Sequence, residues 1–387
     1  VSNRPDITEA LARRVADYVR RDLPLSIHDG GGVLGEVERR MEALTGCGYA
    51  LTTVNGTSAL HAAYVGLDLP PGSEVIAPVL TFHASISPIM QCRLSPVLVD
   101  VDPVTGNICP QAVARALTDR TSCIVVTHMH GIPADMTAIC AIAREAGVHV
   151  VEDCSLAYGA RIGERVVGAI GSVAAFSMQS EKVVSAGEGG CLVTNSRSVY
   201  ERALLLGNSR HRPTTEVTEE SLRQFASTGF GLKHRMHPLA AVLALHDLET
   251  LDDRLIRDAR TGRLLATALD AVPGVTFGLA SDATIGGASR VVVHLGDESR
   301  RTRLLEQVAG DDRIWRHTCG RLDQLPTFAA IPPLATTRET WSPRLAGPFD
   351  GAEQHNAGAV ALALPDPLSD VDVHVNGLVE TLRVACP

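Results

Sequence analysis

Between Tyr49 and Thr194 the chain alternates short β-branched or apolar runs with alanine-rich segments of helical period, a rhythm that few folds accept. The runs fall at residues 49–54, 74–78, 95–101, 122–127, 148–152, 173–176 and 190–194. Helical segments are expected between them at 57–65, 84–91, 109–116 and 134–146. Strands that are nearly continuous in apolar residues must be covered on both faces. The expected architecture is therefore α/β, a mostly parallel seven-stranded sheet between helices, carried by residues 31–250.

The flanks read differently. Ile7, Leu11, Val15 and Val19 recur at four-residue spacing and mark an amphipathic helix over 7–21. Residues 1–30 are expected to form a helix and loop packing on the C-terminal domain. From Leu239 the pattern becomes one long helix connecting two domains. Residues 251–387 are expected to form a smaller α+β domain, with a strand at 289–295 and helices at 299–308 and 371–384. The proline-rich stretch 326–348 reads as an ordered loop. A length of 387 residues suits two domains, since single cores stop growing near ~250–300 residues.

The formal net charge of −9 argues against a nucleic-acid partner, which needs a cationic footprint. Nine cysteines without a C-x-x-C pair suggest neither a zinc site nor a disulfide framework, and cytoplasmic thiols are expected. No apolar run approaches ~18 residues and no leader is visible, so neither a membrane span nor a signal peptide is expected. Gly30, Gly32 and Gly35 spell G-x-G-x-x-G. A dinucleotide fingerprint needs a strand before it, whereas here a helix and a Pro24 loop precede.

The chemistry concentrates in Phe176 to Gly190, FSMQSEKVVSAGEGG. An apolar run turns polar at Ser177, reaches Lys182 and closes on a glycine-rich turn. A partly desolvated lysine becomes an imine-forming nucleophile because burial disfavours the ammonium. A surface lysine beside a turn is the plainer alternative. Asn55, Gly56, Thr57 and Ser58 open a helix after a strand, with Thr57 read as its N-cap, and helix starts bind phosphate. A simple capped helix fits equally well. Asp153 ends a buried strand, where it could pair with a pyridinium nitrogen or make a structural ion pair. Phe82 could stack on a flat cofactor or belong to the core. His128 and His130 have H-x-H spacing, but no third ligand accompanies them and no metal site is expected.

The segments NGTSAL, PGSEVIAPVLTFHAS, PVLVDVDPVTGN, VEDCSLAYGA, GSVAAFSMQSEKVVSAGEGG and GLKHRMHPLAA, in this order, make the chain resemble the DegT/StrS family of sugar aminotransferases. That family sits within the fold-type I aspartate aminotransferase superfamily and uses pyridoxal 5'-phosphate. The resemblance implies Lys182 as the lysine that holds the cofactor covalently and moves a proton. It implies Asp153 at the pyridine nitrogen, Phe82 on the ring, and Gly56, Thr57 and Ser177 at the phosphate. Lys233, where most relatives carry asparagine, would complete a neighbouring subunit's phosphate site, so a homodimer with shared active sites is implied.

The implied reaction moves an amino group from a small donor, glutamate or glutamine, to a ketone on a sugar, cyclitol or related metabolite, as in antibiotic biosynthesis. FSMQSEK with its GEGG turn leans towards the cyclitol and aminobenzoate branch. Leu156 stands where the family usually has glutamine or histidine, and leucine donates no hydrogen bond. Tyr158 or Ser180 could compensate. A lyase, cyclase or decarboxylase on the same fold, or a non-catalytic sensor that keeps the cofactor, are the alternatives.

Overall fold

In the computed structural model, residues 5–287, 290–317, 319–329, 343–365 and 369–385 are described. The strands are β1 (Tyr49–Thr53), β2 (Glu74–Pro78), β3 (Ser95–Val99), β4 (Thr121–Thr127), β5 (His149–Asp153), β6 (Arg161–Ile162) and β7 (Arg165–Val166). They continue with β8 (Val173–Ser177), β9 (Gly190–Thr194), β10 (Ala283–Thr284), β11 (Arg290–His294), β12 (Ile314–Arg316), β13 (Arg344–Leu345) and β14 (Ala359–Ala363). The large sheet has the order β1-β9-β8-β5-β4-β2-β3-β13. Pairs β5–β8, β2–β4, β2–β3 and β3–β13 are parallel, and β9 is antiparallel to β1 and β8. All seven expected strands form. The eighth, β13, is a two-residue edge inside the stretch read as a loop, too short to leave a pattern.

Two compact units divide the chain, one of residues 1–69, 151–155 and 168–252, the other of 70–150, 156–167 and 253–387. In this grouping residues 70–150 fall with the C-terminal residues. The helix Pro5–Arg20 lies in the first unit beside the helix Pro238–Glu249, to which Arg14 is bound through Glu249 at 2.5 Å. The long helix expected from Leu239 is two helices, Pro238–Glu249 and Leu251–Leu269.

Within the first unit the glycine pattern at 30–35 has a packing explanation. Gly30 has φ +73°, and a Cβ there would lie 2.6 Å from Arg212 Nε. A Cβ at Gly35 would lie 2.5 Å from the Gly30 carbonyl oxygen. The glycines admit Arg212 beside the start of the helix Gly32–Thr45. Arg212 donates to Glu38 at 2.9 and 2.8 Å, both side chains being 7% exposed. Glu38 also accepts from the Thr52 N–H and hydroxyl at 2.9 Å each. Arg212 further donates to the Tyr200 hydroxyl at 2.8 Å and to Glu216 at 2.9 Å.

Glu201 is a second buried acid of this unit. It accepts from the Thr218 hydroxyl at 2.7 Å, the Thr218 and Glu219 N–H groups at 3.0 and 2.8 Å, and Arg197 at 2.8 Å. Burial opposes its charge, yet these donors hold the carboxyl down to about 2. A carboxyl lower in the folded than in the unfolded chain stabilises above its ordinary 4.5 and loses that contribution as pH falls towards 2. Glu201→Gln should therefore lower stability by about 1–3 kcal/mol at neutral pH. It should also flatten the decline in urea midpoint between roughly pH 5 and pH 2. An unchanged decline would show that Glu201 does not contribute.

In the second unit, β11, β14 and β12 form an antiparallel sheet. Val291, Val293, Val360 and Leu362 of this sheet share one core with Leu304 of the helix Glu298–Gln307 and Leu378 and Leu382 of the helix Val371–Ala385. This is the expected small α+β arrangement. Among the described residues, none of the cysteines forms a disulfide, and no helix is long and apolar enough to cross a membrane.

Candidate active site

β1 leads into the helix Gly56–Leu67, and its N-cap is Asn55, not Thr57. The Asn55 side chain accepts from the Ser58 N–H at 2.8 Å, the bond that asparagine is well shaped to make. With Ser58 satisfied, the N–H groups of Gly56 and Thr57 have no acceptor within the helix, and the positive end of the helix dipole lies with them. Ser177, at the end of β8, lies directly on this turn. A Cβ at Gly56 would come 2.7 Å from Ser177 Cβ and 3.2 Å from its Oγ. A Cβ at Gly190, opposite Ser177 in β9, would lie 2.4 Å from the Asn55 carbonyl. Both positions require glycine so that the helix start can close on the strand ends.

The segment from Met178 to Gly189 is a tied hairpin loop between β8 and β9. Met178 N–H donates to Gly189 O and Ala186 N–H to Met178 O, both at 2.8 Å. Ser180 N–H donates to Gly187 O at 3.0 Å, and Lys182 N–H to Gln179 O at 2.8 Å. Asp247 takes the Ser185 N–H at 2.9 Å. Gly187 has φ +75°, a turn conformation that suits glycine. Lys182 itself is half-buried beside the buried Val183 and Val184. It is held on a structured loop, unlike a free surface lysine.

Asp153 ends β5 with 5% exposure and accepts the Ser155 N–H at 3.1 Å. It stands opposite Ala175 of β8, so Ser177 lies ~7 Å further along the neighbouring strand. Alternation sends Glu152 to the other face. There the fully buried Glu152 carboxylate accepts the N–H groups of Gly168, Ile170 and Gly171 at 2.9, 2.9 and 2.6 Å. The two acids of VED thus separate: Glu152 holds a turn, and Asp153 stands at the end of its strand on the other face. Cys154 is fully buried, and burial pushes its thiol up, so it is no nucleophile.

Lys233 is exposed, and the following residue joins the end of β1, His234 O accepting the Val54 N–H at 2.7 Å. His28 of the same unit is lowered by burial and then by Arg235 and His211, with Asp29 acting in the opposite sense. Gly56, Thr57, Asp153, Ser177, Lys182 and Lys233 all belong to the first unit. Phe82 belongs to the second, 67% exposed, its ring centroid 4.2 Å from that of His83.

Residues 10–312 match the DegT/DnrJ/EryC1/StrS aminotransferase family. The chain belongs to that family. It is 36% identical over 249 residues to 3-amino-5-hydroxybenzoate synthase of Amycolatopsis mediterranei, covering 64% of this chain and 62% of that one. It is 37% identical over 228 residues to L-glutamine:2-deoxy-scyllo-inosose aminotransferase of Micromonospora echinospora, covering 58% and 54%. The chain therefore spans only about half to two-thirds of the length of these curated relatives. The crystal structure of 3-amino-5-hydroxybenzoic acid synthase superposes with a TM-score of 0.77 at 25% identity, over 97% of this chain and 96% of that one.

Family membership makes Leu156 the position of interest. It is half-buried, Tyr158 is fully buried, and both belong to the second unit. Ser180 is exposed, and its hydroxyl accepts from the Gln179 amide at 2.9 Å. Asn55 as cap and Glu152 as turn holder are the residues the sequence reading missed. An asparagine three residues before Ser58 is the signal that could have identified the first.

Proposed function

We propose that the protein is a pyridoxal 5'-phosphate-dependent aminotransferase, moving an amino group from glutamate or glutamine to a cyclitol ketone, keto-sugar or related polar ketone in secondary metabolism. The observation that carries this reading is that the tied loop bearing Lys182 leaves β8 directly after Ser177, the residue that packs on Gly56 at the helix start, all in one unit. The residues fit the cofactor: a helix start with two uncommitted N–H groups and an adjacent hydroxyl suits a phosphate, and a strand-end carboxylate suits a pyridine nitrogen. When bound, the cofactor supplies an aldehyde for amines and an electron sink for the carbon that changes hands.

The chain's own groups would do the rest. Gly56 and Thr57 N–H and the Ser177 hydroxyl bind the phosphate, and Phe82 offers a flat apolar face. Asp153 would keep a proton on the ring nitrogen through its charge. Lys182, as a free amine, would take the proton from the donor's α-carbon and return one during amination of the ketone. Lys233, exposed and cationic, supplies a point charge to a phosphate in a partner copy, so the working form is a homodimer, and the setting is cytoplasmic. The names of two relatives, one specifying L-glutamine and a scyllo-inosose, the other an aminohydroxybenzoate, support the cyclitol and aminobenzoate branch.

Leu156 favours a second reading, a lyase, cyclase or decarboxylase, since leucine donates nothing to the cofactor's phenolic oxygen. Product analysis separates the two. Incubation of the holoenzyme with glutamine or glutamate should give one 2-oxo acid per cofactor and convert the absorbance to the aminated form. Absence of the oxo acid, with substrate consumed, would reject the aminotransferase.

A further inference from the structure

We infer that His130, His317 and His355 form a binding site for one divalent transition-metal ion of the zinc class. The three reside in the second unit, in the turn after β4, directly after β12 and in the helix Asp350–Gly358. Each offers a ring nitrogen, and these atoms lie within 4.8 Å of one another. The Nε2 atoms of all three are buried and have no hydrogen-bond partner. Orphaned buried nitrogens are rare because each forfeits its hydration, and three converging ones need a common explanation. The inference is independent of the aminotransferase reading.

The surroundings prepare these nitrogens as ligands. His355 Nδ1 lies 3.1 Å from the Pro103 carbonyl, which only accepts, so the ring proton sits there and the Nε2 lone pair is available. Gly106 leaves space at that nitrogen, since a Cβ would lie 2.9 Å from it. His130 holds φ +57°, unusual for a residue other than glycine, and Asn107 fixes its turn by accepting the Met129 N–H at 2.8 Å and donating to Ile132 O at 3.1 Å. Asn356 ties the residues after His317 to the His355 helix, through reciprocal bonds with Cys319 of 2.9 and 2.8 Å.

The neighbouring His294 shows the contrast. Both its nitrogens are engaged, Nε2 with Gln354 O at 2.8 Å and Nδ1 with the Gly296 N–H at 3.1 Å. Nitrogens around tetrahedral zinc sit ~3.3 Å apart, so the rings would draw together by about an ångström, leaving a fourth position for water. Such an ion would cross-link three elements that are distant in sequence.

The test uses the full-length chain freed of metal by dialysis and titrated with Co2+. One equivalent should produce ligand-field bands, which Zn2+ should bleach. His317→Ala, and His130→Asn, which keeps a residue tolerant of the left-handed backbone, should weaken binding by roughly 100-fold or more with circular dichroism unchanged. X-ray absorption of the zinc-loaded unmodified chain reads the ligands without any substitution and should show imidazole scattering with no sulfur. Absence of ligand-field bands, a sulfur-containing shell, or unchanged binding in the folded variants would overturn the site.

Discussion

Lys182→Ala is expected to lack the visible band of the bound cofactor, at roughly 400–430 nm, that the unaltered chain should show. Turnover should fall by ~10⁴-fold or more, because one amine both anchors the cofactor and carries the proton. The change should leave the fold intact. The loop is held by backbone bonds from Met178, Ser180 and Ala186, none of which uses the lysine side chain. Lys182→Arg should fail as completely, since a guanidinium keeps its proton. Borohydride reduction of the holoenzyme followed by peptide mapping should place the cofactor on residue 182. A modified lysine elsewhere, or an alanine variant that retains the band and turnover, would end the proposed mechanism.

Arg212→Met is expected to produce the largest loss of stability, about 3–5 kcal/mol, because it strands the Glu38 carboxylate in the interior. Both partners are 7% exposed, and Glu38 keeps only the two donors of Thr52 when the guanidinium is gone. That loss is a large share of the ~5–15 kcal/mol that keeps a typical domain folded. Removing the charge as well, in Glu38→Gln with Arg212→Met, should recover part of it. The measurement is the urea midpoint of the single and double variants. A loss below about 1 kcal/mol in the single variant would show that water reaches Glu38.

The strands of the large sheet were legible because burial on both faces writes a nearly unbroken apolar run, as in VAAF and CIVV. The helix Gly32–Thr45 was not, since its opening glycines read as a loop and are required by the approach of Arg212, far off in sequence. Thr250, between two helical patterns, gave no visible break, and a two-residue edge strand has no period to detect. The loop around Lys182 and the opening of a helix after β1 could be read because each is local to one turn, although the cap there is Asn55 rather than Thr57. The separation of Glu152 from Asp153 was hidden because it depends on backbone donors at 168–171. His317 and His355 were invisible as companions of His130, since only the folded chain gathers them.

The reversal of β9 beside β8 has an evolutionary consequence. The lysine-bearing excursion leaves and rejoins the scaffold at adjacent rungs, so its closure needs no distant segment to arrive first. Insertions or substitutions at its tip can therefore alter reactivity without re-threading the rest of the architecture. Diversification of chemistry on this scaffold is expected to collect in that short return path.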